Sequence, residues 1–154
     1  MREAQQQTFT THDDVQLFYR HWPGTPEPGE PRKAVLLFHR GHEHSGRIAH
    51  LVDELDLPGF DFFAWDARGH GLSPGARGDS PGFATSVRDV QTFCEHLSAT
   101  YQIDEENIAV IAQSVGAITQ AQGRIANVLF AQGDAGVEHL HRLAPVEGLQ
   151  DRLE

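Results

Sequence analysis

Asn107-Ile108-Ala109-Val110-Ile111-Ala112-Gln113-Ser114-Val115-Gly116 is the stretch whose reading decides the fold. Residues 107–112 read as a short buried strand, because apolar side chains follow one another without polar alternation. A serine then stands between two small residues, Ala112 and Gly116, where a helical pattern over residues 115–126 begins. At such a junction the backbone turns so sharply that larger neighbours would clash, and Oγ is held out at the carboxyl edge of the sheet. The helix that follows points free N–H groups toward a developing oxyanion. Taken alone, the pattern also fits a helix N-cap serine. A strand before it and a helix after it favour a nucleophile.

Two further apolar runs lie upstream, at residues 34–38 and 60–65. Between them Ile48, Leu51, Val52 and Leu55 recur at helical spacing until Pro58-Gly59 stops the helix. Val87, Val90, Cys94, Leu97 and Tyr101 step by three and four, which predicts a second helix with one buried stripe. Strand, helix, strand, helix, strand is the signature of an α/β fold with a parallel sheet. Ahead of it, residues 8–11 and 15–22 read as an antiparallel hairpin turning at His12-Asp13-Asp14. The polar residues 1–7 read as frayed, and the proline-rich residues 23–33 as a loop. Beyond Gly116 the pattern weakens. Residues 127–131 fit a strand or a continuation of the preceding helix, and residues 136–153 read as helical, broken at Pro145.

At 154 residues the chain fits a single domain, 1–154. Asp and Glu number 22 against 12 Lys and Arg, a formal charge of −10, so nucleic acid and anionic membrane surfaces are excluded as expected partners. Cys94 is the sole cysteine, which excludes an internal disulfide or a cysteine zinc ribbon. No apolar run is long enough for a transmembrane segment, the start is not a secretory signal, and a cytoplasmic setting is expected.

Two loops accompany the serine at strand carboxyl ends, where open α/β sheets place their sites. One is His39-Arg40-Gly41-His42-Glu43-His44-Ser45-Gly46-Arg47, after the first apolar run. The other is Asp66-Ala67-Arg68-Gly69-His70-Gly71-Leu72-Ser73, which opens the Gly-rich residues 66–82. In order and spacing these loops and the serine resemble the monoacylglycerol lipase and lysophospholipase branch of the α/β-hydrolases. That branch carries a His-Gly-x-x-Glu-His-Ser-Gly-Arg loop, an Asp-x-x-Gly-His-Gly-x-Ser loop and a Gly-x-Ser-x-Gly elbow. The resemblance covers residues 8–118 and departs at Arg40 and Ala112, where glycine is usual. It implies a partial α/β-hydrolase fold, with an antiparallel hairpin joined to a parallel sheet and flanking helices.

Carried over, the resemblance makes Ser114 the nucleophile and the Gly41 and Val115 N–H groups the oxyanion hole. His39, Glu43, His44, Asp66, Gly69, His70 and Gly71 then shape loops rather than react. The substrate it implies is a small acyl ester such as a monoacylglycerol or a lysophospholipid, with no cofactor. The family's acid and histidine follow later in the chain, beyond a lid. Residues 117–154 are too few for those parts, so the resemblance covers an amino-terminal half, and residues 119–154 are expected to be an atypical, mostly helical tail. Asp134, His139 and His141 remain as weak candidates for acid and base, with helical surface residues the better explanation. Two functions follow: a serine ester hydrolase, or a catalytically impaired half that serves as a binding or assembly module. The isolated chain is expected to be a very weak esterase, able to self-associate if the strand before Ser114 has an uncovered edge. A metal hydrolase, suggested by His39, His42, His44, His50 and His70, is disfavoured because Ser45-Gly46 follows the His42-x-His44 pair; no metal is expected.

Overall fold

The computed structural model describes residues 2–39, 43–77, 83–112, 127–131 and 140–142. They form β1 (Gln5–Thr10), β2 (Gln16–Trp22), β3 (Lys33–Phe38), α1 (His50–Leu55), β4 (Phe60–Trp65), α2 (Phe83–Tyr101), β5 (Ile108–Ala112), β6 (Asn127–Ala131) and β7 (Leu140–Arg142). The strands make one sheet in the order β1-β2-β4-β3-β5-β6-β7. β4, β3, β5 and β6 run parallel, whereas the β1–β2 hairpin and β7 pair antiparallel at the two ends.

The continuous apolar runs have a direct cause, since both faces of the central strands are covered. Ala34, Leu36 and Phe38 of β3 pack with Val90, Phe93, Cys94 and Leu97 of α2. The alternate residues Val35 and Leu37 pack with Leu51, Val52 and Leu55 of α1. Side chains two apart share a face of a strand, so the two helices lie on opposite faces of the sheet. Phe9, Trp65 and Phe93 stack beside Tyr19 on the α2 face, a dense aromatic layer that closes the core under the hairpin.

Two differences from the expected elements, and one choice between two open readings, have physical reasons. β1 begins at Gln5, inside the polar stretch expected to fray, and pairs Gln5 with His21 and Gln7 with Tyr19. An edge strand is held by its ladder, so polar side chains facing water do not prevent it. Residues 127–131 resolve as a strand rather than a helix, parallel to β5 with Ala112 level with Phe130. Within the tail expected to be mostly helical, Leu140–Arg142 is also a strand, paired with β6. An apolar strand leaves its backbone groups without partners if nothing lies beside it, and β6 and β7 supply that pairing outward from β5. The edge of β5 is therefore covered by β6, the condition under which no free edge was expected there.

Arg2 closes the opposite end of the sheet. Its guanidinium donates to the carbonyls of Trp22, Pro23, Leu57 and Phe60, at 2.6–3.2 Å, and lies over the Phe62 ring. Four acceptors from three segments converge on one donor group, and charge-assisted bonds exceed neutral ones. Arg2→Ala is expected to lower the unfolding free energy by about 1.5–3 kcal/mol, read as an earlier urea midpoint. An unchanged midpoint would show that water replaces the guanidinium without cost.

Candidate active site

The strands that the three loops follow, β3, β4 and β5, end at one edge of the sheet because β4 and β5 both run parallel to β3, which lies between them. Leu37 lies level with Ala64 of β4 and Phe38 with Ala112 of β5. Neighbouring strands stand about 4.8 Å apart, so the end of β3 lies about that far from the ends of β4 and β5, which flank it on its two sides.

Asp66, the first residue beyond β4, joins the described parts of these loops. It is buried; Oδ1 accepts the Ser45 N–H at 2.6 Å and Oδ2 accepts the Leu72 N–H at 2.9 Å. Its own N–H donates to the Phe18 carbonyl of β2. Ser73 completes the link, donating through Oγ to the Asp66 carbonyl at 2.5 Å and accepting the Phe18 N–H at 2.9 Å. The Arg77 guanidinium binds the carbonyls of Gly71, Ser73 and Gly75, which folds the loop back on itself. His44 caps the short helical turn Ser45–Arg47 by accepting the Gly46 N–H at Nδ1. Arg20 reaches from β2 to the Ser45 hydroxyl at 2.9 Å.

Gly71 shows why glycine is required in the loop. Its φ is +50°, and a Cβ there would stand 2.2 Å from Asp66 Oδ2. Gly71→Ala is expected to break the Asp66–Leu72 bond and cost about 1–3 kcal/mol, seen as a lower melting temperature and faster exchange of the Leu72 amide. Unchanged exchange at Leu72 would contradict this.

Arg68 fixes the same loop from its outer side. The guanidinium bonds both oxygens of Asp13, in the β1–β2 turn, at 2.8 Å. It also bonds both oxygens of Asp89 on α2, at 2.9 and 3.1 Å. The pairing holds the Asp13 carboxyl well below the usual carboxylate range, chiefly through the Arg68 bond and then through Thr11. This clamp was not legible from sequence, since Arg68 lies 55 residues from Asp13 and 21 from Asp89.

His12, Asp13 and Asp89 bring three possible metal-ligating atoms within 4.8 Å of one another. Arg68 already binds both carboxylates, so a cation would have to displace a fixed positive charge, and the cluster reads as an ion-pair network. His50 pairs with Glu54, whereas the His39 and His70 rings lie 5.3 Å apart. His42 lies outside the described residues.

Ser114, Val115, Gly41, Asp134 and His139 also lie outside the described residues. So do the expected sharp turn at Ser114 and the expected approach of the Gly41 N–H to it. His141 falls in β7, with its backbone level with Phe130, which is itself level with Ala112. It therefore belongs to a strand rather than to the expected helical surface.

The chain matches the family described as Hydrolase_4, serine aminopeptidase S33, over residues 29–126. It is 58% identical over 113 residues to an uncharacterised Escherichia coli (strain K12) protein, YnbC, covering 73% of this chain and 19% of that protein. It is 36% identical over 92 residues to monoglyceride lipase of Homo sapiens, covering 58% of this chain and 28% of the lipase. Its fold matches the α/β hydrolase GrgF from Penicillium sp. sh18 with a TM-score of 0.67 at 17% identity, covering 88% of this chain and 46% of that one. The chain thus spans less than a third of the length of these two curated relatives. The matched residues 29–126 contain β3, β4 and β5 with the loops that follow them, and on that ground the chain belongs to the serine aminopeptidase S33 family and carries a partial α/β-hydrolase fold.

Proposed function

We propose that this chain is the nucleophile-bearing part of a serine ester hydrolase that cleaves monoacylglycerol-like or lysophospholipid-like esters. One observation carries the reading. The three loops that resemble the lipase motifs leave adjacent parallel strands at one edge, with Phe38 and Ala112 level. The likeness to monoglyceride lipases supports a lipid ester as the substrate class. No helix among the described residues is long and apolar enough to cross a membrane. A cytoplasmic setting belongs to the proposal, as does a role in lipid metabolism.

In this reading Ser114 Oγ attacks the ester carbonyl while its proton passes to a base. The N–H groups of Val115 and Gly41 receive the negative charge that develops on the carbonyl oxygen. Collapse of the tetrahedral intermediate expels the alcohol, which takes up the proton, and leaves an acyl-serine. Water then attacks the acyl carbonyl and restores the hydroxyl. His141, His139 and Asp134 are the candidates for base and acid, and no cofactor is needed.

The test is release of glycerol from a monoacylglycerol and of fatty acid from a lysophospholipid, by the purified chain beside its Ser114→Ala variant. Ester cleavage lost in the variant supports the hydrolase. Retention of the acyl ligand with equal, background cleavage by both proteins would favour the binding module.

A further inference from the structure

We propose that neutral His39 is a positioning residue for the candidate site, a proton-sensitive tie between the chain leaving β3 and the chain leaving β4. The inference rests on the reading of this sheet edge as the hydrolase site, and it concerns how that edge is held.

His39 directly follows Phe38, the last residue of β3, and its side chain is 7% exposed. Its Nε2 lies 3.0 Å from the backbone nitrogen of Ala67, the second residue beyond β4. A backbone N–H can only donate, so Nε2 must be the acceptor and must carry no proton. The ring in this geometry is therefore neutral and keeps its proton on Nδ1. Protonation of Nε2 would set two hydrogens against each other across the same gap, and the tie would open.

The second tie between these loops behaves differently. Asp66 accepts the Ser45 N–H through a carboxylate oxygen, and no ring nitrogen takes part in that bond. Protonation of the imidazole thus opens one of the two ties and does not act on the other. Titratable and charged groups lie on both loops beside His39. Glu43 and His44 share its loop, and His44 Nδ1 is engaged by the Gly46 N–H. Asp66, Arg68 and His70 lie on the loop after β4. The His70 ring is 5.3 Å away, with its Nδ1 at 3.0 Å from the Arg68 carbonyl. Arg68 is committed to Asp13 of the hairpin turn and to Asp89 of α2.

The functional consequence follows from distance. The resemblance puts an oxyanion donor on the segment that His39 leads into, and such donors act only at hydrogen-bond reach. A displacement on the order of 1 Å can cost about a hundredfold in rate. The reaction should therefore have an acid limb set by His39, separate from the titration of any general base.

The test uses the full chain and His39→Gln, whose Oε1 can accept the Ala67 N–H without titrating. Amide exchange of Ala67, corrected for the intrinsic rate, is followed between about pH 8 and pH 5 together with the imidazole nitrogen shifts of His39. The nitrogen shifts are expected to show the proton on Nδ1 at high pH. Protection of Ala67 is expected to fall by up to about tenfold per pH unit as pH drops below the ordinary imidazole value of roughly 6.5, until the tie is open, and to stay level in His39→Gln. Labelling of Ser114 by a fluorophosphonate is expected to lose the part of its acid limb that tracks His39. Protection of Ala67 that ignores pH in the parent chain, or a proton found on Nε2, would overturn the proposal without any variant having to fold. A complete absence of labelling at every pH would instead overturn the hydrolase reading, and the exchange result would still decide the tie.

Discussion

Asp61→Ala is expected to lower the unfolding free energy by about 3–5 kcal/mol, the largest stability loss of any single substitution considered. Asp61 is the second residue of β4, at the edge opposite the candidate site, and is 1% exposed. His21 Nε2 stands 2.7 Å from Oδ2, Arg32 Nη2 stands 2.5 Å from the same oxygen, and the Gly24 N–H donates to Oδ1 at 3.0 Å. His21 is itself buried, stacked on Phe63, and its Nδ1 has no hydrogen-bond partner among the described residues. The imidazole is therefore satisfied on the Asp61 side alone. Removing the carboxylate strands a buried ring nitrogen and a backbone N–H together, while Arg32 keeps the Tyr101 carbonyl, and the two stranded groups are why the cost exceeds that of a surface ion pair.

The same cluster sets a pH dependence. Burial, the largest influence, would raise the Asp61 carboxyl, but the His21 bond, the Gly24 N–H and the Arg32 charge together hold it below its ordinary value. A carboxyl lowered by folding contributes stability at pH values above its unfolded value, and loses it as pH falls through its folded value. The stability gap between the parent chain and Asp61→Asn should accordingly narrow as pH falls below roughly 4. Urea midpoints measured across that range check it. A gap that widens on acidification would mean that Asp61 is not the ionised partner of this cluster.

Much of this fold was legible because it rests on patterns that are local in the chain. Residues 60–65 match β4 residue for residue, and the runs at 34–38 and 107–112 each fall within one residue of β3 and β5. Apart from Lys33 and Asp61 those strands are apolar on both faces, and their length of five or six residues separates such runs from helices. Asp66 and Gly71 could be identified as loop-shaping residues, and their contacts give that role a geometry. What escaped was set by pairing rather than by pattern. Gln5–Gln7 carry no apolar alternation, yet they extend β1 because β2 offers them a ladder. The short β7 lies inside a stretch whose leucines suit a helix equally well, and its pairing with β6 decides the matter. The tie from His39 to Ala67 spans 28 residues and joins a ring nitrogen to a backbone group, which no spacing rule announces.

Ser114→Ala is the substitution with the largest expected effect on chemistry. Loss of the nucleophile from a complete triad costs about 10⁶-fold in turnover; in this chain, expected to be a very weak esterase, whatever ester cleavage there is should fall to background in the variant. The Asp66 and Arg68 contacts do not involve Ser114, and the variant should unfold at the same urea concentration as the parent. Lost cleavage with an unshifted midpoint separates a chemical role from a structural one. An equal rate in the two proteins would assign the cleavage to something other than Ser114.

The most direct measurement is the mass of the intact chain after treatment with a fluorophosphonate, followed by peptide mapping of the adduct. Only a serine activated toward acyl and phosphoryl centres reacts with such a probe at a useful rate. One phosphonyl group per chain, carried on Ser114 and absent in Ser114→Ala, is the predicted result. An unmodified chain, or an adduct that maps to another residue, would contradict the account.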